Sequence, residues 1–460
     1  MSEADRPHAT SEADRARTPQ APQATPQTTP RTPRTTEEPR LATRSRARRR
    51  PRLPLHVAVA LPLALAGLIA LLVTGNALRP FDRMITIEAR MASKSDYFKD
   101  PQVQRLLLKH GIRVDIHRLG SRGIATQSLE GMDAVFPSGQ PAAKLILNRQ
   151  KHSGDSVRPF VTPLVLGTFR DYAETLEKAG VATPQPTTGG GRTLYYDLGM
   201  GKFMGLLDGL VDGRETGTQD RDDIKNEPAD TWNGIGFDED GRNSNSGRVL
   251  VRTSNVCESN SAGTYLSILA FVANGDSTPG AGEADETKAM EEARKVARTI
   301  KPLIDLQGMW ADEQADSYLS GLGKSIAPIS LIYEHQYLAH QIDYQQKNHR
   351  QDTDRVLLYP TPYALTEPQL ISLSPDGDEL VRVIRDDPDL RRRAIELGFR
   401  VRFSGDDGTS DQLNTYLGEH GIQVPKPNRD QTKVYEPDLD VLEEIINSVG
   451  TCPPPVQGTS

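Results

Sequence analysis

The chain of 460 residues has two cysteines, Cys257 and Cys452, too few for a disulfide scaffold and without C-x-x-C metal spacing. It has no G-x-S-x-G nucleophile elbow, no H-E-x-x-H helix and no two-carboxylate pairing at a recognisable spacing. No catalytic residue is therefore assigned, no metal or cofactor is called for, and an enzyme is not expected. Phosphate-cradling loops are missing too. The Gly199 to Gly205 stretch GMGKFMG departs from G-x-G-x-x-G by one residue and lacks the K-[ST] ending of a nucleotide loop. DEDGRNSNSG has its glycines in the wrong places for a calcium loop and reads as a turn. A basic body is absent as well. The net charge is −7, but residues 1–52 hold twelve Arg against six acids, a balance of +6, which leaves −13 on the rest. So acidic a body argues against DNA or RNA as a partner.

What is present begins with an apolar run. LHVAVALPLALAGLIALLVTG, Leu55 to Gly75, has no charged side chain and is long enough to span a hydrocarbon core of about 30 Å. Arg44 to Arg52, RSRARRRPR, flanks it on one side and by the positive-inside rule stays cytoplasmic. We read residues 54–78 as a transmembrane helix, with the N-terminus cytoplasmic and the acidic body outside the cell. A signal peptide cleaved near Gly75-Asn76-Ala77 is the alternative, although 21 apolar residues behind a long leader suit an anchor better. No cysteine follows the run, which excludes a lipid anchor at that point. In an exported body Cys257 and Cys452 are free to join as a disulfide or to stay as two thiols. Residues 1–53 repeat Thr, Pro, Gln, Ala and Arg, include SEADR twice, and carry too few apolar side chains to offset ordering, so they read as a disordered arm.

From Met84 the pattern alternates. MITIEARM reads as a strand, DPQVQRLLLKHG as a helix opened by Asp100 and Pro101, RVDIHRLG and DAVFPSG as further strands. That order builds a parallel α/β sheet. Two proline-bearing extended runs, PFVTPLVLGTF (Pro159 to Phe169) and RVLLYPTPYALTEPQLISL (Arg355 to Leu373), suit crossings between lobes rather than interior strands. They divide the body into a discontinuous lobe, 82–160 with 361–450, and an inserted lobe, 161–360, followed by a flexible tail, 451–460. Ligands of parallel sheets bind beyond the carboxyl ends of the strands. The residues there are Ser93, Lys94 and Ser95 after the first strand, Ser121 and Arg122 after the second, and Ser138 after the third. After RVLVR comes TSNVCESNSAG, Thr253 to Gly263, which opens an apolar helix. Hydroxyls and unpaired amides at a helix start suit an anion, and they equally suit ordinary capping. Glu334, His335 and Tyr337 in IYEHQY sit at another strand end, while Trp232 and Trp310 read as packing residues.

In ASKSDYFKDPQVQRLLLKHGI, GSRGIAT, DAVFPSG, the paired crossings, RTSNVCESNSAGTYLSILAFVANG and LIYEHQYLA, in that order, the chain resembles the type II periplasmic or extracellular solute-binding proteins. The likeness is to an actinobacterial-like, membrane-anchored group of substrate-binding domain proteins, and it spans about 82–450. It implies a two-lobed α/β fold with two crossover strands, preceded here by one transmembrane helix, that traps a small polar solute, in anionic form or rich in hydrogen-bonding groups, for transport or sensing. Ser93, Ser95, Ser121, Arg122, Ser138, Ser254, Asn255, Ser259, Asn260 and Ser261 would then face the cleft. The implied partners are a membrane permease or a signalling protein. The competing expectation is a cell-envelope interaction protein that keeps the fold without a ligand pocket.

Overall fold

A computed structural model describes residues 84–149, 154–187, 191–207, 228, 230–239, 241, 244–310, 314–401, 411–427 and 432–452. The arm 1–53, the run 55–75 and the tail beyond 452 lie outside the described residues. Within those that are described, no helix is long and apolar enough to cross a membrane. The chain divides into Met1–Leu78 and Arg79–Ser460, and everything below concerns the second unit.

Alternation builds the first sheet. In β1, Ile85–Met91, every second residue (Ile87, Ala89, Met91) is buried, as a period of two requires when one face meets a core. Asp100 then accepts from the amides of Gln102 and Val103 and starts α1, Pro101–Lys109, whose Val103, Leu106 and Leu107 form the buried stripe. The Asp100 carboxylate also receives two hydrogen bonds from Arg393, so one side chain both caps α1 and ties it to a distant helix. β2, Ile112–Arg118, and β3, Ala134–Phe136, flank β1 in parallel. Two short helices follow these strands, α2, Ser121–Thr126, and α3, Gln140–Arg149. The sheet is completed by β4, Ser156–Val157, and by β13, Leu370–Ser372, in the order β2-β1-β3-β13-β4, with β13 antiparallel to both neighbours.

The second sheet is built around β5, Phe160–Phe169. Its path runs β6 (Ala182–Pro184), β7 (Tyr195–Gly199), β11 (Arg355–Thr361), β5, β10 (Ile329–Tyr333), β8 (Val251–Ser254) and β9 (Met309–Trp310). The proline-bearing run 159–169 was expected to avoid the interior of a sheet, and the structure corrects this. Leu164 to Phe169 lies centrally, between β10 and β11. Pro163 is tolerated because it lies in the first half of the strand, where β5 pairs with two-residue strands, β12 (Leu365–Thr366) and β14 (Arg400–Val401). β5 thus runs from the neighbourhood of one sheet into the middle of the other. Around the second sheet pack α4, Asn260–Ala273, α5, Glu286–Gln307, which Asp285 caps, and α6, Glu334–Asn348.

The cores are separate clusters. One gathers Tyr97, Phe98, Phe136, Phe160 and Phe399 with Leu380 to Leu390 on the first sheet. A second joins β5, β10 and β11 to α4, α5 and α6, and a smaller third holds Ile124, Val135, Ala142, Ile146 and Ile371 around α2 and α3. The segment 361–450, expected as a whole in the first lobe, divides among them. α7, Pro388–Glu396, belongs to the first cluster, whereas Val441, Leu442, Ile445, Ile446 and Val449 of α8, Leu439–Gly450, are buried in the second. The cause is the apolar stripe of α8, which finds its match on α5 and α4.

Candidate functional site

Four strand ends meet over one cleft of about 480 Å³. β1 delivers Ala92 and Ser93, β2 delivers Arg118 to Ser121, β8 delivers Ser254 and Asn255, and β10 delivers Leu331 to Tyr333. The first two come from one sheet and the last two from the other. Both pairs are parallel, so the carboxyl ends of both sheets open on the same space. Into it α4 presents its first turn, Asn260 and Ser261, preceded by Ser259.

Seven of the ten residues named from the sequence line this cleft: Ser93, Ser121, Ser254, Asn255, Ser259, Asn260 and Ser261. Three do not. Ser138 is buried behind the wall, where its N–H donates to Ser121 Oγ (2.8 Å) and its hydroxyl meets Ser93 Oγ (2.9 Å). Ser95 is sealed within the first half of the protein, and its hydroxyl has no hydrogen-bond partner among the described residues. Arg122 turns away from the cleft because Glu443 and Asn447 of α8 take its guanidinium at 2.5 and 2.9 Å. One position after Ser121 on a helix, it faces a different neighbour.

Capping does not account for the hydroxyls before α4. Ser259 occupies the N-cap position yet makes no capping bond, and its Oγ pairs with Ser261 Oγ at 2.7 Å. The cleft polar groups are polarised by their other contacts. Ser121 Oγ accepts from the Ser138 amide, Asn255 Oδ1 accepts from the Cys257 amide (2.9 Å), and Gln336 Oε1 accepts from the Tyr333 amide (3.0 Å). A backbone N–H needs an oxygen opposite it, so these contacts fix the orientation of both side-chain amides. This leaves the Ser121 hydroxyl hydrogen and the NH₂ groups of Asn255 and Gln336 to donate.

Two aromatic rings, Tyr333 and Trp310, also line the cleft. Tyr333 lines the cleft with Lys94 beneath it, the fully buried ammonium standing 3.4 Å from the ring centroid and donating to the Ser138 carbonyl at 3.0 Å. Trp310, read from sequence as packing, is 44 % exposed on the cleft, with Arg252 stacked 3.7 Å from its ring centroid. Trp232 does pack, buried against Tyr172 and Phe237. At the strand end IYEHQY the cleft residues are Tyr333 and Gln336, while Glu334, His335 and Tyr337 turn inward. Charge in the wall is mixed, with Arg118 set against Glu258 and Asp316.

His335 links the two cores behind this wall. Its ring stacks on Phe399 (centroids 4.0 Å apart) and Nε2 lies 3.2 Å from Asp96 Oδ2. Burial lowers its pKa, with Asp96 opposing the fall and Lys94 adding to it. From about pH 6.5 downward the unfolded chain therefore takes up the proton more readily than the folded protein, and stability falls as the pH drops. We expect the acid limb of a melting-temperature profile between about pH 6.5 and 5 to be shallower in His335→Gln than in the wild type. Parallel profiles would show that His335 contributes nothing to the limb.

No family model matches the chain, and no curated protein does either. Among solved structures it is similar to the periplasmic binding protein P5PA, at 12% identity over 80% of this chain and 96% of that one, with a TM-score of 0.36. Iron-bound HitA from Pseudomonas aeruginosa gives 12% over 79% and 97%, with a TM-score of 0.42. Thiaminase I from Bacillus thiaminolyticus gives 10% over 80% and 100%, with a TM-score of 0.40. The structural neighbours are mostly periplasmic solute-binding proteins, the class the sequence resembles. At these identities and scores the chemistry has to be argued from the cleft itself.

Proposed function

We propose that this chain is a membrane-anchored, extracellular solute-binding protein whose two lobes hold a small, acceptor-rich, anionic solute for transport or sensing. The observation that carries the reading is a set of three oriented donors in the cleft wall. Ser121, Asn255 and Gln336 have each committed an oxygen to a backbone amide, so the ligand meets O–H and N–H groups beside the start of the 14-residue helix α4. Oriented dipoles of this kind hold a carboxylate or oxyanion without a dedicated cation. One arginine, Arg118, shares the wall with two carboxylates, Glu258 and Asp316, so the side chains supply no excess of positive charge and the attraction has to come from the donors. The anchor comes from the apolar run 55–75, and the exported side from the arginines before it.

The test uses substitutions that keep each internal bond and exchange only the outward group. In Asn255→Asp and Gln336→Glu an oxygen still accepts from the Cys257 or Tyr333 amide, but the donor becomes a carboxylate oxygen. Each is expected to weaken binding by about tenfold to a hundredfold or more, the range for hydrogen bonds to charged groups, with little change in melting temperature. Native mass spectrometry of the gently purified protein reads this directly. The wild type should carry extra mass that denaturation releases, and both variants should lack it. Tighter retention by the variants would mean a donor-bearing or cationic ligand. A wild type that is empty and is not stabilised by any of a panel of anions, sugars and amino acids would favour the envelope-interaction protein instead.

A further inference from the structure

Beside the cleft the two halves touch directly, through Arg122. Arg122 of α2, on the first sheet, sends its Nη2 to Glu443 Oε2 (2.5 Å) and Asn447 Oδ1 (2.9 Å) of α8 and its Nη1 to the Cys257 carbonyl (3.3 Å). Its backbone N–H donates to the Glu258 carbonyl at 3.1 Å. These acceptors belong to the second core and to the loop before α4, and the Cys257–Cys452 disulfide fastens that loop to the end of α8. Gly120 makes the approach possible. A Cβ there would stand 2.2 Å from the Glu258 carbonyl oxygen, a backbone atom that cannot step aside. The guanidinium is nearly buried, with 9 % of the side chain exposed, so separating the halves would rehydrate it and Glu443 together.

We propose that Arg122 is a closure latch, a positioning residue that sets the balance between open and closed arrangements of the cleft while making no contact with solute. The notch that receives it is a single unit because the disulfide joins its two walls. This rests on the reading of two lobes that close on a solute. Apparent affinity is the intrinsic affinity scaled by the closed fraction, so the strength of the latch tunes binding without altering the pocket.

Hydrogen-exchange mass spectrometry on the full-length protein, with no solute added, tests it. Glu443→Gln keeps shape and weakens the clasp, Arg122→Lys removes the fork, and Gly120→Ala props the contact apart. Each should speed exchange roughly tenfold or more at 118–126 and 255–263, as expected for loss of a charge-assisted contact, and leave 164–169 and 286–307 unchanged. Unchanged exchange in all three variants overturns the latch. Faster exchange spread over both cores also overturns it, because it would mean general loosening. Retained solute on the same samples is scored separately. Latch without solute keeps this inference and removes the solute reading, and solute without latch does the reverse.

Discussion

Arg400→Met should destabilise the protein by about 3 to 5 kcal/mol, among the largest losses for any single side chain outside the apolar cores. Arg400 in β14 grips Glu334 with Nε at 2.5 Å and Nη2 at 2.7 Å, and the Tyr359 hydroxyl donates to the same carboxylate at 2.7 Å. Glu334 is 0 % exposed. Burial disfavours the charge on Arg400, but Glu334 more than offsets this and holds the pKa above its ordinary value. Burial, reinforced by Glu334, likewise keeps the Tyr359 phenol neutral and therefore a donor. With the guanidinium gone, a carboxylate enclosed by β11, β14 and the start of α6 is left with one phenol, and the helix dipole is too weak a substitute. The full penalty of an uncompensated buried charge then appears. Glu334→Gln strands the opposite partner and should cost a similar amount. The double variant Glu334→Gln with Arg400→Met should cost far less than the sum, because an ion pair replaced as a whole loses little net energy. Urea denaturation of the four proteins gives the coupling, and an Arg400→Met loss under about 1 kcal/mol would show that Glu334 does not depend on Arg400 for its burial. The pair stands where β14 meets β5 at Val161 and Phe160, so this chemistry also fixes the strand that passes between the two sheets.

Much of the fold is legible because local signals agree with the packing. Asp100-Pro101 does start a helix, Pro388 does break one into two, and ISLIYEHQYLA does turn from strand to helix at Glu334. The placement of α8 was not legible. Its stripe of Val441, Leu442, Ile445, Ile446 and Val449 shows that some face is buried, but nothing local selects α5 over the first sheet. The prolines of the run 159–169 misled for a related reason. Proline excludes a strand position only where a ladder bond is needed, and Pro163 lies where β5 has only short partners.

The site shows the same division. Ser121, Asn255 and Ser259 are findable because strand ends and a helix start can be counted along the chain. Which direction each side chain takes is a tertiary matter. Arg122 has the character of a ligand cation, yet the carboxylate that takes its guanidinium lies on α8, at a separation of 321 residues. Trp310 carried no local mark at all, since a two-residue edge strand beside β8 places it on the cleft. Gln336 lies three residues beyond a strand that is legible in the sequence, but its part depends on its oxygen being taken by the Tyr333 N–H, a tertiary detail with no local signature.

Replacing both cysteines, Cys257→Ser with Cys452→Ser, should cost about 3 to 5 kcal/mol. The bond closes a separation of 195 residues, and chain-entropy arguments assign roughly 5 kcal/mol to a loop of that length. Two effects pull the measured value apart from this estimate. Residual structure in the unfolded chain lowers it, because part of the loop entropy is already lost. Loss of packing raises it, since Gly450 sits against Cys257, Cys452 and Val256 with no room for a Cβ, and two hydroxyls are a poor exchange for sulfur there. Urea unfolding with and without reductant separates the terms. Reductant should lower the midpoint of the wild type and leave the double variant where it is. The intact protein should also weigh two hydrogens less than its reduced form. A wild type indifferent to reductant and already at full reduced mass would mean two thiols in the purified chain, and with them an intracellular history that contradicts the exported body. If the bond is present, its consequence reaches the cleft. The loop it holds carries Asn255, Glu258 and Ser259, so the double variant should lose solute retention by more than its stability loss accounts for. Equal retention in both proteins would confine the disulfide to a role in stability and leave the placement of that loop to Arg122 and to the loop's own hydrogen bonds, such as Asn255 N–H to the Trp310 carbonyl.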